Sequence, residues 1–243
     1  DIAPVRTPMI PKLKLTTASI KDQELFRKTK LNYQMIFGTL NYLSCTTRPE
    51  ISFAVGTLSQ FLNNPGMKHW EASIRVLQYL QGSKDVTLKI FRADNFDSLE
   101  AFSDADWGNC EQTRRSISGY VIKWNNSLIS WKSKKQSNIA CSTTPAEYQA
   151  LSNVVKEIMW MKILLKKIFN FVFKNPTPIY EDNQGEIDLA YNNSNHSNFR
   201  TKHMSMKFHF IQQQIKLKNI KLQYTKTENM EADFRTKSIS KAG

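Results

Sequence analysis

Leu99-Glu-Ala-Phe-Ser-Asp-Ala-Asp-Trp-Gly108 is the stretch on which the fold turns. An apolar run of strand character, Leu99 to Ser103, ends in a carboxylate, Asp104. Helix-flanked sheets place reactive groups at such strand ends. Asp106 shares a face with Asp104 only if the strand runs on that far, and it serves equally well to bound a turn before Gly108. Outward from here the period stays near two: Ile117 to Trp124 and Leu128 to Trp131 read as strands separated by the turn Asn125-Asn126. A long helix follows, about Pro145 to Phe169. It carries Leu151, Val154, Val155, Ile158, Leu165 and Ile168 on one face and Lys156, Lys162, Lys166 and Lys167 mostly on another. Then come a strand at Pro178–Glu181, a helix at Gln184–Tyr191, a polar loop at Asn192–Asn198 and a helix near Met204–Lys218. A strand at Ile220–Tyr224 and a last helix around Glu228–Thr236 complete the pattern. Meandering strands, a long helix, then alternating strand and helix predict an α/β fold, a mixed sheet flanked by helices.

Upstream, Val86 to Phe91 reads as one more strand. Residues 1–32, with Pro4, Pro8, Pro11 and a polar run from Thr16 to Lys30, read as a strap or linker. Between them lies a helical pattern: Ile36, Leu40 and Leu43; after Arg48-Pro49, Phe53, Val55, Leu58, Phe61 and Leu62; then Lys68 to Gln81, ending at Gly82. The predicted organisation is a small helical module, 1–96, followed by an α/β domain, 97–243.

The 243 residues carry 34 Lys+Arg against 21 Asp+Glu, a net charge of +13. A phosphate backbone rewards many dispersed cations, so the balance favours a nucleic-acid partner over a small acidic one. Cys45, Cys110 and Cys141 form no CxxC pair, which points to a reduced, intracellular setting without structural zinc. No apolar run approaches the ~18–20 residues that cross a bilayer, and the N-terminus is not a signal peptide. A start at Asp1, without methionine, suggests a fragment of something longer.

Within this basic chain four acids occupy distinctive contexts: Asp104, Glu147 in Ser142-Thr-Thr-Pro-Ala-Glu-Tyr148, Asp182 in Ile179-Tyr-Glu-Asp-Asn-Gln184, and Asp233 in Glu231-Ala-Asp-Phe-Arg-Thr-Lys237. Carboxylates gathered from distant segments can hold paired Mg²⁺ ions for phosphodiester cleavage. Each also has a plainer reading. Thr144-Pro145-Ala146-Glu147 fits a capping box with proline at the first helical position. Asp182 fits an N-cap, and Asp233 a solvated helix charge. Taken one at a time the plain readings win; the joint order of strand, helix start, strand end and late helix favours the metal site.

The chain resembles the C-terminal part of the Pol polyprotein of copia-type long-terminal-repeat retrotransposons, the end of the reverse transcriptase and its ribonuclease H domain. The matching strings include Thr47-Arg-Pro-Glu-Ile-Ser-Phe-Ala-Val55, Arg75-Val-Leu-Gln-Tyr-Leu-Gln-Gly82, Ser103-Asp-Ala-Asp-Trp-Gly108 and Arg115-Ser-Ile-Ser-Gly-Tyr-Val121. They continue with Ile129-Ser-Trp-Lys-Ser-Lys-Lys-Gln136, Ser142-Thr-Thr-Pro-Ala-Glu-Tyr-Gln-Ala-Leu151, Asp182-Asn-Gln184, Arg200-Thr-Lys-His203 and Ala232-Asp-Phe-Arg-Thr-Lys237. Pro145 departs from the family's usual glutamate, Ser205 from an aspartate and Asn198 from a histidine, while Arg235 and Ser238 interrupt the usual ending.

The resemblance implies a ribonuclease H-like sheet preceded by a thumb- or connection-like module. By it Asp104, Glu147, Asp182 and Asp233 are catalytic and bind two divalent ions, Mg²⁺ with Mn²⁺ able to substitute. It implies cleavage of the RNA strand of an RNA–DNA hybrid, a partner palm and fingers region upstream, no membrane, and a cytoplasmic site in virus-like particles. Hybrid contacts are expected from Arg114, Arg115, Lys132, Lys134 and Lys135, and an auxiliary role for His203 or His209 stands beside a plain structural one. Trp107 and Trp131 read as core. The family's Tyr-x-Asp-Asp polymerase turn is absent from the sequence, so no polymerisation is expected from this chain by itself. Two rivals are a non-catalytic nucleic-acid-binding remnant and an integrase-like strand transferase. The second expects its glutamate after two aspartates, whereas Glu147 comes second.

Overall fold

A computed structural model describes residues 3–11, 13–92, 97–108, 113–140, 142–192 and 202–237, and at 202, 203 and 234 the backbone alone. The chain divides into two compact units, one running to Leu88 and the other from Lys89 to Thr236.

The first unit is helical: α1 (Ile20–Lys28), α2 (Tyr33–Thr46), α3 (Ser52–Leu58) and α4 (Met67–Gly82), with a 3-10 turn at Pro49–Ile51 where proline ends the preceding periodicity. Leu40, Ile51, Leu58 and Val76 fill its core. Helix α1 corrects the reading of residues 1–32 as strap alone. Ser19 caps it, accepting from the Asp22 N–H at 3.2 Å, yet only Phe26 of its nine residues is buried, so no apolar stripe marks it in sequence. Val86–Phe91 is likewise not a strand. Val86, Ile90 and Phe91 are exposed, and the Phe91 N–H bonds the Ser127 hydroxyl at 2.7 Å instead of entering a ladder.

The second unit is built on a five-stranded sheet: β1 (Leu99–Asp106), β2 (Ile117–Trp124), β3 (Ser127–Lys135), β4 (Thr177–Glu181) and β5 (Ile220–Tyr224), in the order β3-β2-β1-β4-β5. The first three strands form an antiparallel meander, while β4 runs parallel to β1 and β5 parallel to β4. Asn125 and Asn126 join β2 to β3 with φ of 51° and 61°, the left-handed pair that a two-residue hairpin turn requires and asparagine tolerates. The helices are α5 (Thr143–Phe169), α6 (Gln184–Tyr191) and α7 (Lys202–Lys216). One sheet face packs Leu99, Ala101, Ile122 and Ile179 against Leu151, Val155 and Ile158 of α5 and Phe208 and Ile211 of α7. The opposite face is smaller and holds Phe102, Val121, Met230 and Ala232.

This is the ribonuclease H-like mixed sheet flanked by helices that the sequence predicts. The last expected helix is instead two 3-10 turns, Thr227–Asn229 and Asp233–Arg235. Met230 and Ala232, two residues apart, both face the sheet, and a continuous helix does not bury positions at that spacing.

Candidate active site

Strand β1 continues through Asp106, so Asp104 and Asp106 do share a face. Its parallel pairing with β4, Ala101 to Ile179 and Phe102 to Tyr180, brings the C-terminal ends of both strands to one edge of the sheet. Asp104 lies there, buried; Glu181 closes β4 and Asp182 follows it. The start of α5 is pinned to the same edge. Gln136 donates from Nε2 to the Ser118 hydroxyl and to the Ala146 carbonyl, 2.8 Å each. Next along, Glu147 accepts the Ala105 backbone N–H. Helix α6 is anchored by the buried Tyr148 hydroxyl, which donates to the Glu186 carbonyl at 2.9 Å.

Two plainer readings fall here. Helix α5 begins at Thr143 with Ser142 as N-cap, which places Pro145 third in the helix and Glu147 in its second turn, so Glu147 closes no capping box. Pro145 is still tolerated, because the first turn's N–H groups have no intrahelical partner. Asn183, not Asp182, precedes α6 as its N-cap; the Asp182 carboxylate instead accepts from the Thr227 hydroxyl at 2.9 Å.

Asp233 opens the 3-10 turn Asp233–Arg235, half-buried. Thr236 links it to Asp104: its backbone N–H bonds the Asp233 carbonyl at 3.1 Å and its hydroxyl donates to the Asp104 carboxylate. Gly119 makes this approach possible. It pairs with Asp104 across β1 and β2, and a Cβ there would fall 2.6 Å from Arg235 Cβ and 2.8 Å from the Thr236 methyl.

The structure therefore brings Asp104 and Asp182 within electrostatic reach of Glu147, with the Asp233 backbone tied in through Thr236. It also adds two acids that the sequence reading missed, Glu181 and Glu186, both buried. Burial, then the charges of Asp104, Glu186 and Asp182, push the Glu147 carboxyl up to about 10, against the smaller pull of the Ala105 N–H. Burial and the Asp182 charge take Glu186 to about 8. Glu181 is raised by burial first, then by Glu147 and Glu186, with the Ser103 hydroxyl opposing. So many carboxylates held together cost free energy unless cations or protons neutralise them. The buried Glu147 Oε2 and Glu181 Oε1 lack hydrogen-bond partners among the described residues, and all-oxygen donors of this kind suit Mg²⁺, Mn²⁺ or Ca²⁺. The residues present fit divalent metal.

Three of the five predicted cations lie on β3. Lys132, Lys134 and Lys135 line a cleft of about 280 Å³ together with Lys156, Gln149 and Asn153 of α5. Arg114 and Arg115 are exposed just before β2, Arg114 with φ of 51°. Trp107 departs from the core reading: it is 48% exposed beside the acidic edge, held by a 3.1 Å bond from its indole N–H to the Ala140 carbonyl. Trp131 is half-buried. His203 sits in the first turn of α7, its side chain outside the described residues, and His209 is exposed against the edge of Phe208.

No protein-family model matches the chain. It is 35% identical over 238 residues to the retrovirus-related Pol polyprotein from transposon TNT 1-94 of Nicotiana tabacum, covering 97% of this chain and 18% of that one. Against the corresponding polyprotein from transposon RE2 of Arabidopsis thaliana it is 37% identical over 242 residues, covering 98% and 16%. Among solved structures, foamy viral protease-reverse transcriptase in complex with RNA/DNA hybrid covers 86% of this chain and 27% of its own, with a TM-score of 0.50 and 10% identity, a likeness of fold alone. LC11-RNase H1 aligns over 58% of this chain and 93% of its own at a TM-score of 0.41 and 14% identity. The chain spans less than a fifth of the length of these polyprotein relatives. It belongs to the family of retrovirus-related Pol polyproteins of copia-type transposons.

Proposed function

We propose that the second unit is a divalent-metal-dependent hydrolase that cuts the RNA strand of RNA–DNA hybrids during reverse transcription. The observation that carries this reading is the gathering of Asp104, Glu147 and Asp182 at one end of two parallel strands, inside a chain of net charge +13. A polyanion is drawn to the cations and meets its chemistry at the acids. Similarity to Pol polyproteins supports it, as does the fold shared with a reverse transcriptase solved on an RNA/DNA hybrid.

Asp104, Glu147, Asp182 and Asp233 would hold the metal. When bound, two Mg²⁺ or Mn²⁺ ions would supply an activated water and charge stabilisation at the leaving oxygen. The chain's own residues have the rest of the work. Thr236 fixes the Asp104 carboxylate by hydrogen bond, and Gln136 fixes the segment of α5 that presents Glu147. Lys132, Lys134, Lys135, Arg114 and Arg115 would grip phosphates and 2′-hydroxyls, contacts that tell a hybrid from duplex DNA by shape.

A labelled hybrid titrated with Mg²⁺ or Mn²⁺ tests the reading. Expected are short RNA products, an intact DNA strand, little action on duplex DNA, and loss of product in Asp104→Asn. Protein that binds hybrid but releases no product at any metal concentration would be the non-catalytic binder instead.

A further inference from the structure

Glu147, Glu181 and Glu186 form a group of their own beside the aspartates. Glu181 follows Ile179 by two residues and so lies on the sheet face covered by α5 and α6. Asp104 follows Phe102 by two and lies on the face of Met230 and Ala232. One carboxylate oxygen from each of the three glutamates lies within 4.8 Å of the other two. Glu181 is only 1% exposed; its Oε1 and the Glu147 Oε2 are buried without a hydrogen-bond partner among the described residues. The Glu186 carboxylate accepts from Asn183 Nδ2 at 3.1 Å. Among the described residues none of the three is in a salt bridge.

Buried carboxylate oxygens this close together need either a cation between them or protons on them. Oxygens on opposite sides of one ion lie about 4.2 Å apart around Mg²⁺ and about 4.8 Å around Ca²⁺, twice the metal–oxygen distance. The observed spread, up to 4.8 Å, matches Ca²⁺, and the smaller Mg²⁺ and Mn²⁺ need the side chains to close in slightly. We propose that Glu147, Glu181 and Glu186 form a seat for one divalent cation of the Mg²⁺, Mn²⁺ and Ca²⁺ class, additional to the ions at the aspartates. The proposal rests on the hydrolase reading only in that Glu147 serves both places. The donors are all hard oxygens, which disfavours zinc or copper. They come from α5, β4 and α6, so an ion there ties two helices to the sheet and its first consequence is for stability.

The test counts Mn²⁺ bound to the full chain without nucleic acid, from the loss of the free-ion electron paramagnetic resonance signal. The parent should bind one more Mn²⁺ than Glu181→Gln or Glu186→Gln, while Asp233→Asn keeps that ion. Saturating this seat at about a hundredfold over its Kd should raise the parent's melting temperature by roughly 5–10 °C, a contribution that both glutamine variants lose. In chelator the glutamine variants should melt no lower than the parent, since they remove repelling charge. Should Glu181→Gln fail to fold, Glu186→Gln decides alone. Equal Mn²⁺ counts in parent and variant would mean that the glutamates hold protons and would overturn the seat, whether or not hybrid is cut. A protein that counts the extra ion but cuts no hybrid would retain the seat and overturn the hydrolase reading.

Discussion

Glu147 is where two explanations of one residue separate. A second-turn position, mostly buried and repelled by its neighbours, makes its charge a burden to the metal-free fold. Glu147→Gln should therefore melt at the same temperature or higher in chelator. Cleavage should fall by at least about 100-fold, beyond the loss typical of residues that merely orient a ligand; full activity in the variant would remove Glu147 from the site. Sequence could show that Glu147 matters but not why. The string Ser142-Thr-Thr-Pro-Ala-Glu147 offers several caps, and the helix uses the earliest. Glu181 and Glu186 were readable in principle: Glu181 is in phase with the buried Ile179, and Glu186 lies four residues before the buried Ala190. Both went unread because an acid beside Asp182 looks like ordinary surface charge, and only tertiary packing shows that it faces inward.

Among the elements, those with a strong period were legible: β2, β4, β5, the asparagine turn and the body of α5. Helix α1 was not, because its support comes from a cap and a single buried Phe26. Val86–Phe91 alternates like a strand but adds to neither edge strand, β3 or β5: the Phe91 N–H is taken by the Ser127 side chain and not by a strand backbone. Helix α4 holds a device of its own. His69 stacks on Phe61 at 4.0 Å, accepts the Gly66 N–H at Nδ1 (2.9 Å) and reaches the Thr16 carbonyl from Nε2 (3.0 Å). The Gly66 bond requires an unprotonated Nδ1, and burial lowers the imidazole's pKa, opposed by the Thr16 bond and the Asp22 charge. Because the folded value lies below the unfolded one, the stability gained is full above about pH 6.5 and is lost as pH falls through the lower folded value. His69→Phe keeps the stacking. It should cost roughly 1–3 kcal/mol at neutral pH by leaving two backbone groups unpaired, and should flatten the acid side of the curve. Urea melts from pH 5 to 7.5 check both, and parallel curves for parent and variant would dismiss the histidine.

Across the whole molecule, the division of labour is expected to follow the two units. Exposed Lys68 and Lys84 and half-buried Arg75 would let the first hold phosphates, while every candidate acid lies in the second. A fragment 89–243 should fold, keep cleavage and bind hybrid more weakly, with a shallower dependence on salt because fewer counterions are released. A fragment 97–243 should melt lower than 89–243. It loses the Phe91 bond to Ser127 and the 2.5 Å bond from Asn125 Nδ2 to the Arg92 carbonyl, both of which steady the β2–β3 hairpin. Circular dichroism and hybrid titrations at several salt concentrations decide; a fragment 89–243 with the parent's affinity and salt slope would leave the first unit without this task.

The hydroxyl that steadies Asp104 belongs to Thr236, 132 positions along the chain. Closing so distant a pairing early in folding would cost more entropy than one bond returns, so it forms once the sheet already stands. Completion of the acid set is then a matter of timing: Asp233 arrives last with Thr236, on a scaffold rigid enough to bear the added repulsion. Thr236→Val should leave the refolding rate nearly unchanged and quicken unfolding, visible in stopped-flow denaturant jumps as a shift in only one arm of the rate plot.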